Sequence, residues 1–224
     1  MILSAVTSVA VGALLWLDRV FIFQFMVSRP IVLSPIMGFI MGDVSIGLIV
    51  GASLELLWLN APPVGAYLPN DESFCAVVAT PTAVCAAGYM SDTSAAGLAL
   101  LASLPFALVG RSLDVRIRTL NQDLLPEKIE DPEHTVERAM GKALARSYAF
   151  ALVTLGISAG LLWAAVSLIG PALPSTFKLS LSFMPSATVI IGLAGLLTKG
   201  RPKPSHAGLF VLGMTIVVFL SWMR

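Results

Sequence analysis

Of the 224 residues in the chain, 57% are apolar and 12% are charged, about half the ~25% charged content usual for a soluble domain, so the composition excludes a globule clothed in water. With 14 basic and 13 acidic side chains the net charge is +1, which excludes the concentrated basic field of a nucleic-acid-binding protein. The apolar residues fall in runs near the roughly 20 residues that cross a bilayer, and the fold class expected is all-α: a polytopic helical membrane protein.

The first run, residues 1–17, has no basic region ahead of it and no A-x-A cleavage site before a soluble domain, so it reads as a retained membrane segment. The second, 31–59, is too long for one simple crossing and carries Gly42 and Asp43 in its middle, with Gly47 and Gly51 after them. A Gly-Asp pair at depth needs protein or water around it, so this run is expected to break in two. Asp43 fits the cap of a helix starting at Val44 better than it fits a ligand contact.

Glu55 stands inside Leu48–Leu59, flanked by Leu54, Leu56 and Leu57. An ionised carboxylate facing lipid costs at least ~2.5 kcal/mol, so Glu55 must face protein, water or substrate. A carboxylate there can accept two charge-assisted hydrogen bonds from sugar hydroxyls; the other reading is a structural acid paired to Arg29 or to backbone donors. Asn60 then opens a stretch with Pro62, Pro63, Gly65 and Pro69 that cannot continue a regular helix. Irregular backbone at this depth belongs where it lines a cavity or is buried in protein.

The loop closes in Asn70, Asp71, Glu72 and Ser73, just before the next apolar run at 73–90. Asn70 or Asp71 can cap that helix, or, with Asn60, offer hydrogen bonds to a substrate beside unwound backbone. Trp58 and Tyr67 are able to stack on a sugar face, although belt or core positions are the commoner use of such rings. Cys75 and Cys85 lie among Ala and Val and read as buried apolar thiols.

Further spans are expected at 93–110, 149–170, 180–198 and 206–223. Between the first two lies the one long polar stretch, 111–147, holding Arg111, Arg116, Arg118, Lys128, Arg138, Lys142 and Arg146, which the positive-inside rule places in the cytoplasm. Within it Leu113, Ile117, Leu120 and Leu124 recur at helical spacing, as in an interfacial helix resting on the membrane, until Pro126 and Pro132. The stretch serves either as a docking face for a soluble partner or as a solvated loop. Lys199, Arg201 and Lys203, stiffened by Pro202 and Pro204, form a second cytoplasmic cluster.

The sequence has no P-loop, GxSxG or HExxH motif, and its histidines are His134 and His206 alone. No catalytic residue, metal ligand or cofactor is therefore nominated. One membrane domain, 1–224, is the simplest division.

An Arg-Pro pair at 29–30, G-x-x-x-GD over Gly38–Asp43, G-A-x-LEL-x-W-L over Gly51–Leu59, and a proline/glycine loop closing in Pro69-Asn70-Asp71 occur in that order. Together they resemble the IIC subunits of the mannose/fructose/sorbose class of bacterial phosphotransferase system. The resemblance implies a sugar-translocating subunit of the bacterial inner membrane, multi-pass and oligomeric, that pairs with a IID membrane subunit. The phosphoryl chemistry would lie on soluble IIA and IIB partners, so the chain itself would not be an enzyme. The resemblance also implies an elevator-like movement of a core portion past a static one. Carried over by motif position, Glu55, Asn60, Gly65, Asn70 and Asp71 would meet the hexose, with Gln24, Ser34 and Asp43 as weaker additions. Ser28 before Arg29, and Tyr67 in the loop, depart from the family pattern and bear on which sugar is taken. Two other classes stay open: a membrane scaffold or receptor without transport, and an ion-coupled secondary transporter using Asp43 and Glu55.

Overall fold

A computed structural model describes residues 2–59, 68–124 and 132–199; these are helices joined by short connections, with no strand among the described residues. The first helix, α1 (Ile2–Trp16), runs into a single 3-10 turn, Leu17–Arg19, and the two together are long and apolar enough to cross a membrane. The chain then turns through a loop pinned from one point. Buried Asp18 accepts the backbone N–H groups of Phe25 and Val27, each at 2.9 Å, and of Ser28 at 3.4 Å. That anchor holds Phe23, Gln24 and Met26 at φ of 41°, 57° and 64°, left-handed conformations that cost side-chain-bearing residues about 1–3 kcal/mol each and persist only where surroundings impose them.

Pro30, whose missing N–H would be unpaired in any first turn, opens α2 (Pro30–Met41). The expected break occurs where the sequence put it. Gly42 ends α2 at φ 91°, and the Asp43 carboxylate accepts the Ile46 N–H at 3.0 Å to start α3 (Val44–Trp58). At 1.5 Å per residue these helices measure about 18 and 22 Å, short of the ~30 Å hydrocarbon core, so they form a hairpin of partial crossings. The two arms touch backbone to backbone. A Cβ on Gly47 would sit 2.5 Å from the Ser34 carbonyl oxygen, and one on Gly51 would overlap the Pro30 carbonyl, the small-residue contact on which helix pairs in lipid rely.

The next helix, α4 (Glu72–Ala86), is enclosed by protein: every residue from Ser73 to Ala83 is buried. Its Thr80 and Thr82 hydroxyls, which have no water to meet, return to the carbonyls of Ala76 and Val78. Cys75 and Cys85 are buried free thiols, as expected, and the Cys75 Sγ–H donates to the Ser103 carbonyl at 3.2 Å. Around α4 the largest fully buried side chains, among them Trp16, Leu33, Met37, Ile46, Leu54 and Phe74, form the core.

The span expected at 93–110 is instead two helices, α5 (Asp92–Ser103) and α6 (Phe106–Gln122), bent by 48° at Leu104–Pro105. Pro105 lacks the N–H that would continue the ladder. The amphipathic helix expected from Leu113 onward is α6 itself, which starts earlier, at Phe106, and buries Ala107, Gly110, Leu113 and Ile117. Likewise α7 (Pro132–Ile169) begins well before the expected boundary at 149, because hydropathy marks where lipid ends and not where a helix does. A 3-10 turn, Gly170–Ala172, leads to α8 (Ser175–Ser182) and α9 (Met184–Lys199), which together make another candidate crossing. Arg201, Lys203, His206 and the expected span 206–223 lie outside the described residues.

Candidate functional site

The open end of the α2–α3 hairpin meets the start of α4, and three charged side chains converge there. Arg29, the residue before α2, places its Nη1 3.3 Å from Glu55 Oε1 and 3.1 Å from Glu72 Oε1. Glu55 comes from the last turns of α3 and Glu72 is the first residue of α4. Both carboxylates are mostly covered, at 18% and 16% side-chain exposure, while the guanidinium between them is at 41%. The second oxygen of Glu55, Oε2, is buried and has no hydrogen-bond donor among the described residues. Buried polar atoms are rarely left unpaired, and each exception calls for a reason.

Behind this triad lies a second node, with Asp71 and Trp16 buried and Arg19 partly exposed. Asp71 caps α4, its Oδ1 accepting the Phe74 N–H at 2.9 Å, while Oδ2 accepts the Trp16 Nε1–H at 2.8 Å and pairs with Arg19 Nη1 at 2.7 Å. The Asp71 N–H donates to the Ala107 carbonyl at 3.1 Å. Gly110 allows this approach of α6, since a Cβ there would stand 2.5 Å from that of Asp71. With two guanidinium groups against three carboxylates, the ionised cluster keeps one negative charge in excess. The N-terminal dipole ends of α2 and α4 point into the same region and favour that sign.

The candidate residues divide by position. Glu55 lies on one side of the triad, and its pairing with Arg29 is the structural alternative raised from the sequence; its Oε2, unpaired among the described residues, leaves room for both roles at once. Asp71 is fully buried, its oxygens accepting the Phe74 and Trp16 N–H groups and ion-paired with Arg19, while Asn70 precedes it, half-buried. Ser34 is buried in the α2–α3 seam, with its Oγ unpaired among the described residues. Gln24 is exposed in the pinned loop and donates to the Val20 carbonyl at 3.3 Å. Asp43 caps α3 at the hairpin's turn, about 18 Å along that helix from Glu55 at 1.5 Å per residue, and so stands apart from the cluster. Asn60, Gly65 and Tyr67 lie outside the described residues.

Sequence reading left Glu72, Arg19, Asp18 and Trp16 without a role. A signal was there for three of them: charged residues that border apolar runs in a membrane chain are costly unless partnered. No group of three or more potential metal ligands occurs among the described residues. What the cluster offers is hydrogen bonding to a polyol: carboxylate acceptors, a guanidinium donor, and convergent helix ends in a low-dielectric surround that strengthens each bond.

The sequence-family model described as the sorbose-specific IIC component of the PTS system matches residues 2–223. Over 97 residues the chain is 30% identical to the mannose-specific EIIC component of Escherichia coli strain K12, a stretch that covers 43% of this chain and 34% of that relative. The match thus spans about a third of the length of the curated relatives. Among solved structures, one described as a membrane protein superposes with a TM-score of 0.67 at 20% identity, covering 96% of this chain and 86% of the other. A chain of the mannose transporter ManYZ in complex with microcin E492 does so with a TM-score of 0.57, also at 20% identity, covering 97% and 86%. At that identity the two superpositions show a shared fold.

Proposed function

The chain belongs to the family of PTS sorbose-specific IIC components, and on that premise we propose that it is the sugar-translocating subunit of a mannose-type phosphotransferase system. It would move a hexose inward across the bacterial inner membrane for phosphorylation by IIA and IIB partners, in complex with a IID membrane subunit. The proposed unit is a single membrane domain over residues 1–224.

The observation that carries the reading is the buried Oε2 of Glu55, unpaired among the described residues, beside the Arg29–Glu72 pair. A sugar hydroxyl donating to that oxygen satisfies it without breaking the existing ion pairs. Arg29, with five donors in its fork and two of its contacts long or shared, supplies hydrogen bonds to sugar oxygens from the other side. Asn60, Gly65 and Asn70 would complete the site from the loop between α3 and α4. We assign Asp71 a positioning role: it fixes the start of α4, and so Glu72, through Trp16 and Arg19. Ser34 and Gln24 would act on the hairpin and on the loop leading to Arg29, and Asp43 on the hairpin's turn. Such a subunit translocates sugar and leaves phosphoryl transfer to its soluble partners.

The test is labelled-hexose uptake into membrane vesicles holding this chain and its IID partner, with and without phosphoenolpyruvate and the soluble proteins. Wild type is expected to accumulate sugar phosphate only with phosphoenolpyruvate. Glu55→Gln, which exchanges an acceptor oxygen for a donor, should lose at least about 10-fold in apparent affinity, the worth of one charge-assisted hydrogen bond, at equal membrane abundance. Gradient-driven uptake of unmodified sugar would indicate secondary transport instead, and correct assembly without uptake would indicate a scaffold.

A further inference from the structure

Away from the sugar cluster, α6 and α7 enclose a groove of about 350 Å³ lined by Leu108, Val109, Leu113 and Arg116 from α6 and by Phe150 and Thr154 from α7. Its position relative to the bilayer can be read from α7. Along that helix Arg138, Lys142 and Arg146 recur every fourth residue on one exposed face, and from Ala149 onward the sequence is apolar, so the membrane boundary crosses α7 near Arg146. The end of α6 is bound to that level: Arg146 Nη1 donates to the Leu120 carbonyl at 2.7 Å, and Asn121 Nδ2 to Ser147 Oγ at 3.0 Å. Arg116, one turn before Leu120, is therefore within about 6 Å of the boundary.

Arg116 is exposed, and it makes no hydrogen bond or ion pair among the described residues. Its neighbour Arg118 is different, being held by Asp114 at 3.1 Å. On the same helix Leu108, Val109 and Val115 are exposed at 57%, 40% and 44%, which water would not favour and acyl chains would. A guanidinium at the boundary must reach either water or an anionic group, and here it lines a mostly apolar slot, with Arg146 one turn before Phe150 on α7 and Lys142 a turn earlier, neither in an ion pair among the described residues. Charge and shape match one occupant.

We infer that the α6–α7 groove binds an anionic phospholipid, its phosphate held by Arg116 under the field of Lys142 and Arg146 and one acyl chain laid along Leu108, Val109 and Phe150. The net positive field selects headgroups with net negative charge over zwitterionic ones. The site is independent of the sugar cluster and does not rest on the transport reading.

The test is native mass spectrometry of the full chain as extracted from its host membrane, titrated separately with phosphatidylglycerol, phosphatidylcholine and inorganic phosphate. Wild type should retain one phosphatidylglycerol at least about 5-fold more tightly than phosphatidylcholine, and inorganic phosphate should not displace it. Arg116→Gln should weaken retention about 10-fold, as expected for one charge-assisted contact, Arg116→Lys should recover part of it, and Arg111→Gln, outside the groove, should stay within about 2-fold of wild type. Unchanged helicity and elution of Arg116→Gln exclude misfolding as the cause. Equal retention of both lipids, displacement by inorganic phosphate, an Arg116→Gln protein that binds like wild type, or an equal loss in Arg111→Gln would each overturn the assignment. So would an acidic soluble protein that occupies this face in place of lipid.

Discussion

Replacing Asp71 by Asn keeps the size and the cap, since Asn accepts the Phe74 N–H as well as Asp does, yet it reverses the chemistry on the other side. The amide NH₂ would face the Trp16 Nε1–H and the Arg19 guanidinium, three donors meeting with no acceptor. Leaving the indole N–H unpaired costs about 1–3 kcal/mol. Removing the partner of a buried ion costs about 3–5 kcal/mol, which is reduced here because the Arg19 side chain keeps 18% exposure. These terms share atoms and do not add, so we expect about 3–4 kcal/mol in total for Asp71→Asn. Equilibrium unfolding in mixed micelles, followed by helical circular dichroism, measures it. Trp16→Phe removes one clashing donor, so the double variant should be about 1–2 kcal/mol more stable than the sum of the single effects. An Asp71→Asn protein within about 0.5 kcal/mol of wild type, or single effects that simply add, would show that Asp71 does not tie α1 to α4.

Two other substitutions test the scaffold around the site. Gly47→Ala would bring a methyl to 2.5 Å from the Ser34 carbonyl oxygen, so we expect α2 and α3 to separate at a cost of about 1–3 kcal/mol, seen in the same unfolding assay and as lost uptake. Asp18→Asn removes one of the two oxygens that hold Phe25 and Val27; amide exchange at residues 25–28 should rise about 10-fold, the worth of one buried hydrogen bond, while exchange in α4 should not change. Equal protection at 25–28 in the variant would show that the loop has another anchor.

The hairpin was legible because its signals are local: a glycine able to take φ 91°, an aspartate one residue later to cap the second arm, and a proline to open the first. Glu55 was legible because a lone carboxylate among leucines has to be explained. The partners were not, since Trp16 and Asp71 meet across 55 positions and no periodicity encodes that. Asp71 read as either a cap or a ligand from its place after the loop, and only packing shows that its second oxygen is already engaged by Trp16 and Arg19. Pro105 was the neglected signal for the bend between α5 and α6. The early start of α7 was hidden because a helix whose first turns are charged has no hydropathic edge.

The glycine seam between α2 and α3 decides which contacts of the triad can change. With carbonyl oxygens seated where methyls would have been, the two arms cannot slide against each other without collision, so Arg29 and Glu55 belong to one stiff part and their separation is fixed within it. Glu72 belongs to α4, outside that part. Any displacement of the hairpin against α4 must therefore be registered at the 3.1 Å contact between Arg29 and Glu72, which makes that ion pair a latch between two bodies, while Arg29–Glu55 is a rivet inside one.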